Sequence, residues 1–246
     1  MPTPSSLGKG MVVFFCLGGF LVSSLARPLP VRLLSDSAYA QLVPGRPTRA
    51  SPLSPQVLYR EEVMLQNGEQ RAKLRFYSDE DPANPPLWFH VSDDKGSIAP
   101  VRERAPEELV SLGEKTGHPM LYAWTIPIVF EAQETKRLRI QAAYPVFPVS
   151  NRPKNDRFEI YFCHWGWQPS SSDLLFRFDF GPMISAIPCL GRSPTPALVP
   201  WLLSSWFLVQ PSGYESNGFT VRWRFGEAGE PDRCEKICVE WYAWYR

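Results

Sequence analysis

The chain has 246 residues, a formal net charge of +1, 26 prolines and five cysteines. So even a charge balance supplies no broad field for nucleic acid or an anionic membrane surface, and no nucleic-acid partner is expected. The length favours one well-buried core over two full domains.

Lys9 precedes an uncharged apolar run from Gly10 to Val22. This is the length of a signal-peptide core and falls short of the roughly 20 apolar residues of a spanning helix. Two small-residue sites follow, Ser24-Leu25-Ala26 and Ala38-Tyr39-Ala40. Residues 1–26 are therefore expected to be a signal peptide or membrane anchor, and the body to be secreted, periplasmic or at the cell envelope. If the segment stays uncleaved, the body is membrane-anchored and that segment is its only membrane contact. Arg27, Arg32, Arg46 and Arg49 pull the other way, because positive charge after an uncleaved anchor favours a cytoplasmic body. Residues 27–55, rich in Pro, Ser and Arg, are expected to be a disordered linker, leaving 56–246 as a single β-rich domain.

Beyond Gln56 the side chains alternate. Ala72, Leu74 and Phe76 fall on one face and Arg71, Lys73 and Arg75 on the other, and the same period returns in 137–142, 157–162 and 174–180. Phe219, Val221, Trp223 and Phe225 define another strand face, and Ile237, Val239, Trp241 and Ala243 the last one. Weaker strand patterns cover 57–65, 86–91, 121–131 and 201–210, with Pro127 demoting its strand to an edge or a bulge. Asp93-Asp94-Lys95-Gly96 and Ser216-Asn217-Gly218 are turn sequences between apolar runs. One short helix is expected over 105–114, where Pro106, Glu107 and Glu108 suit a helix start. Strands with one wet face need a second apolar layer, so the expected fold is a mostly antiparallel β-sandwich, with a closed barrel as the alternative. Parallel pairing is disfavoured by connections too short and too proline-rich for crossover helices.

Loss of Cys16 with the leader leaves Cys163, Cys189, Cys234 and Cys238 as disulfide candidates, with three possible connectivities. A Cys234–Cys238 bridge requires a turn at Glu235-Lys236. An extended segment of that length spans about 13 Å, against the roughly 4 to 7 Å between Cα atoms that a bridge allows. No metal site is expected, since His90, His118 and His164 are scattered and Cys-x3-Cys has no second close pair.

Two surfaces are candidates for ligand contact. His164, Trp165 and Trp167 crowd one loop, where indoles can stack on sugar rings or grip a peptide, although large aromatics more often fold back over a core. Tyr242 and Trp244 lie with Glu240 opposite the core face of the last strand. The basic rows Arg71/Lys73/Arg75, Arg137/Arg139 and Arg222/Arg224 form a positive surface only if their strands are neighbours; otherwise they are a solvated sheet face. No nucleophile elbow, zinc-protease motif or phosphate-binding glycine loop occurs, and no cofactor or catalytic residue is assigned. The expected function is a non-catalytic binding module at the cell envelope, contacting carbohydrate or a protein partner. The alternatives are a carbohydrate-active hydrolase with carboxylates assembled by the fold, and a structural subunit of an envelope assembly.

Overall fold

The structure is a computed structural model and describes residues 31–45, 55–69, 71–80, 85–105, 107, 110, 122–163, 174–185, 208–217, 219–225 and 234–243. Among these, strands dominate: β1 (Val31–Pro44), β2 (Pro55–Asn67), β3 (Ala72–Glu80), β4 (Trp88–Asp93), β5 (Gly96–Ile98), β6 (Val101–Arg104), β7 (Tyr122–Phe130) and β8 (Thr135–Pro145) come first. They are followed by β9 (Phe147–Val149), β10 (Arg152–Cys163), β11 (Leu174–Asp179), the single-turn helix α1 (Gly181–Ser185), β12 (Leu208–Gln210), β13 (Glu215–Asn217), β14 (Thr220–Phe225) and β15 (Cys234–Tyr242). Eight strands form one sheet in the order β13-β14-β11-β1-β2-β8-β4-β5. Two smaller sheets, β12-β15-β10-β9 and β3-β7-β6, complete the architecture. The ends of the large sheet, β13 and β5, do not pair with each other, so it is an open layer and the fold is sandwich-like rather than a closed barrel.

Burial follows the alternation. Val57, Tyr59, Val63 and Leu65 of β2, Leu138 and Ile140 of β8, Phe176 and Phe178 of β11, and Val221 and Trp223 of β14 all face the core. The four-stranded sheet contributes Phe158, Ile237, Val239 and Trp241 to the same cluster. Ring contacts run through this core from Trp223 to Phe176, Tyr59, Tyr144, Phe158, Phe178 and Trp241, with neighbouring centroids 5.6 to 6.4 Å apart. The three-stranded sheet adds Ile126, Ile128 and Phe130, and Trp124 of β7 stacks on Phe89 of β4 at 5.2 Å. Gly96 closes the β4–β5 hairpin at φ +135°, and the Asp93 carboxylate accepts the Lys95 amide at 2.8 Å, as the turn sequence predicts. Pro127 sits in β7 opposite Arg75 of β3, beyond the part of β7 that β6 reaches. Its missing N–H therefore falls where β7 is locally an edge, as expected for proline in a strand.

Two expectations are corrected. The span 27–55 is not a linker throughout, because β1 occupies Val31–Pro44 in the middle of the large sheet, and structure begins well before Gln56. The pattern is hard to read because its inward positions include Ala38, Ala40 and the carboxyl of Asp36, and because a register shift between Leu33 and Ser35 changes the phase. A cut after Ala40 would remove most of this strand, which counts against the second of the two cleavage sites. Parallel pairing does occur: β1 runs parallel to β11 from Asp36↔Leu174 to Gln41↔Asp179. The connection between them is not a single crossover helix but passes through the other strands. Of the expected helix at 105–114, Glu107 and Val110 are helical, Ala105 is not, and the rest lies outside the described residues. The apolar run of residues 10–22 also lies outside them, and no described helix is long and apolar enough to cross a membrane.

Candidate binding surface

The face of the large sheet opposite the core carries a cross-strand row of polar side chains. Register places Glu215 (β13), Arg222 (β14), Arg177 (β11), Tyr39 (β1), Arg60 (β2), Gln141 (β8) and His90 (β4) side by side. The adjoining row holds Arg224, Leu175, Ser37, Glu62, Arg139 and Ser92, and Arg137 lies one step further along β8. Neighbouring strands lie about 4.8 Å apart, so Arg177 and Arg60, two strands apart across Tyr39, are separated by about twice that distance at their bases.

Its hydrogen bonds hold the row in place. Tyr39 Oη donates to Asp179 Oδ2 at 2.6 Å, Gln41 Nε2 donates to Tyr39 Oη at 3.1 Å, and the Arg177 guanidinium lies 5.1 Å over the Tyr39 ring. Burial, and then the Asp179 carboxylate, push the Tyr39 phenol up to about 12, so it stays a donor at neutral pH. Arg222 clamps Glu215, which holds that carboxyl below its usual range. Glu62 is shared by Arg137 at 3.4 Å and Arg139 at 3.8 Å, and Arg139 also reaches Asp94 at 2.9 Å. Arg60 and Arg224 are exposed, and among the described residues neither has a carboxylate within ion-pair distance. Guanidinium groups outnumber carboxylates across this face, and their planar forks match carboxylate, sulfate and phosphate groups.

A second cluster lies inside the core. Asp36 and Glu61 are fully buried on β1 and β2, hydrogen-bonded to each other, and Tyr59 Oη donates to Glu61 Oε2 at 2.9 Å. Desolvation pushes the Asp36 carboxyl up to about 8, with the hydrogen bond to Glu61 opposing it, and holds the Tyr59 phenol well above its ordinary value. Two adjacent carboxyls cannot both ionise cheaply in such a place, and the Asp36 carboxyl keeps its proton at neutral pH. The pair has the composition of an acid–base dyad but is sealed beneath the sheet, with 0% and 2% exposure.

No protein-family model matches the chain, and no curated protein matches it. Its fold is similar to that of a candidate nutrient-binding protein from Legionella pneumophila, with a TM-score of 0.54 and 11% identity over 86% of this chain and 67% of that one. Weaker matches are yeast LTA4 hydrolase (TM-score 0.37, 7% identity, 85% of this chain and 28% of that one) and an M1 zinc metallopeptidase from Deinococcus radiodurans (0.38, 10%, 92% and 45%). The chain thus spans about two thirds of the first of these proteins and less than half of the other two.

Of the residues singled out from sequence, His164, Trp165, Trp167, Cys189 and Trp244 lie outside the described residues. Tyr242 is exposed at the end of β15, in register with Asn155. Its neighbour Glu240 is not part of an open surface. It is buried and accepts from Asn155 Nδ2 at 2.7 Å, Arg152 Nη2 at 3.0 Å and Arg157 Nη2 at 3.1 Å. Arg157 and Lys236 both bind Glu159, which also lies 3.6 Å from Cys238 Sγ. Burial, reinforced by Glu159, raises the Cys238 thiol to about 11, so it is a poor nucleophile and a free, buried thiol. Replacing Glu240 by alanine is expected to destabilise the chain by about 1 to 3 kcal/mol in urea unfolding, because three donors lose their acceptor together. A loss below about 0.5 kcal/mol would show that solvent satisfies the freed arginines.

The basic rows are partly united. Arg137/Arg139 and Arg222/Arg224 share one face of the large sheet but stand four strands apart, while Lys73 and Arg75 lie in β3, in a different sheet, and Arg71 just precedes it. Sequence reasoning missed the residues between them, Tyr39, Arg60 and Arg177. Tyr39 lay in the supposed linker, and the alignment of all three is a matter of long-range register, for which a single sequence carries no local signal.

Proposed function

We propose that this chain is a non-catalytic binding module, exported or membrane-tethered, that takes an anionic carbohydrate on the outer face of its large sheet. The observation carrying this reading is the ordered row of Arg222, Arg177, Tyr39 and Arg60, with Arg60 and Arg224 exposed and, among the described residues, without a carboxylate within ion-pair distance. Tyr39 lies between Arg177 and Arg60, so an aromatic face with a hydroxyl donor is flanked by two guanidinium groups. The likeness in fold to a candidate nutrient-binding protein agrees with a binding role. The Asp36–Glu61 carboxyl pair is sealed from solvent, which gives the hydrolase alternative no support.

Binding of polygalacturonate and of neutral dextran by the full chain, measured calorimetrically at low and high salt, tests the proposal. The acidic polymer is expected to bind and to weaken as salt rises. Arg60→Glu with Arg224→Glu is expected to weaken binding by at least tenfold, about 1.4 kcal/mol, while the thermal midpoint stays within about a degree because both side chains are exposed. Equal binding of both polymers, or binding unchanged by the double charge reversal, overturns it. If Trp165→Ala with Trp167→Ala abolishes binding instead, the contact lies on the aromatic loop.

A further inference from the structure

Strands β10 and β15 pair antiparallel without a break from Asn155↔Tyr242 to Cys163↔Cys234. The last of these register partners are both cysteines. Residues directly opposite on antiparallel strands have Cα atoms about 4.5 to 5.5 Å apart, within the roughly 4.4 to 6.8 Å a disulfide accepts. The other described cysteine, Cys238, lies opposite Glu159 and is offset from both by four residues along the strand, about 13 Å. Because β15 is continuous from Cys234 to Tyr242, there is no turn at Glu235-Lys236, and a Cys234–Cys238 bridge is excluded.

We propose that Cys163 and Cys234 form a cross-strand disulfide in the mature protein, with Cys238 remaining a thiol. The oxidant is a small or protein disulfide, such as glutathione disulfide. One cysteine thiolate attacks it and releases one glutathione thiol. The second cysteine then displaces the other glutathione from the mixed disulfide, so that two thiols are oxidised and one disulfide is reduced to two glutathiones. The bridge ties together the end of β10 and the start of β15, and with them the points where the chain enters residue 164 and leaves residue 233. It does not depend on the proposed ligand surface.

The test is peptide mapping of the native full chain after equilibration with glutathione disulfide, with free thiols alkylated under denaturing conditions before non-reducing digestion. The expected product is one cross-linked peptide pair containing Cys163 and Cys234, two hydrogens lighter than the sum of its reduced halves, together with alkylated Cys238. The same treatment in urea is expected to scramble the pairing, showing that the native register selects it. Cys238→Ser is expected to leave the bridge intact and remove one alkylated site. Recovery of Cys163 and Cys234 as alkylated thiols, or of either joined to Cys16, Cys189 or Cys238, overturns the proposal.

Discussion

Phe178→Ala is expected to destabilise the chain by about 3 to 5 kcal/mol, the range for emptying a well-packed phenylalanine site. Phe178 is on the core face of β11, and its ring lies 5.6 Å from Phe158, 6.0 Å from Trp241 and 4.7 Å from Phe180. It therefore joins the large sheet to the four-stranded one, and a cavity there opens between two layers rather than at a rim. Urea unfolding at constant slope measures the loss, and Leu175→Ala on the opposite face of the same strand serves as a control, expected to cost less than about 1 kcal/mol. If the two substitutions cost the same, the sheets are not held together through this aromatic contact.

Stability is also expected to rise as the pH falls from 8 towards 5. In the unfolded chain the Asp36 carboxyl titrates near 3.8, whereas in the folded chain burial holds its proton up to about 8. Between these values the native state binds more protons than the unfolded state, so its stability declines as the pH climbs through the window and levels off above it. The span is worth on the order of a few kcal/mol at most. Glu134, held down to about 2, and Glu159, also lowered, act in the opposite sense. Their contributions are present above the unfolded carboxylate range and are lost as the pH falls through it, which places the optimum in mildly acidic solution. Asp36→Asn keeps a hydrogen-bonding group beside Glu61 but removes the proton. It is expected to flatten the profile of thermal midpoint against pH between 5 and 8, and to leave the protein no less stable at pH 8. A slope equal to wild type in the variant would mean that another group carries the pH dependence.

The clean alternation of β11, β14 and β15 made those strands legible, because large apolar residues at every second position have no reading other than a face against a core. The same logic failed for β1, whose inward positions carry small residues and a carboxyl. Asp36 and Glu61 look like surface residues in any window, and only the register Ala38↔Glu61 and Asp36↔Val63 shows them meeting inside the sandwich. The candidate surface was half visible. The paired arginines of β8 and β14 stood out as rows, but the residues linking them come from strands distant in sequence. The cysteines could be counted but not paired, since Cys163 and Cys234 become neighbours only through the β10–β15 ladder.

The first strand of the domain can complete its hydrogen bonding only when a segment some 140 residues later arrives beside it, as the Tyr39–Asp179 contact shows. Until Leu174–Asp179 has been synthesised, β1 presents one open edge to whatever is nearby. Such long-range closure makes for slow folding. For as long as that closure is delayed, the flank of β1 stays open to pairing with the wrong strand, of this chain or of another.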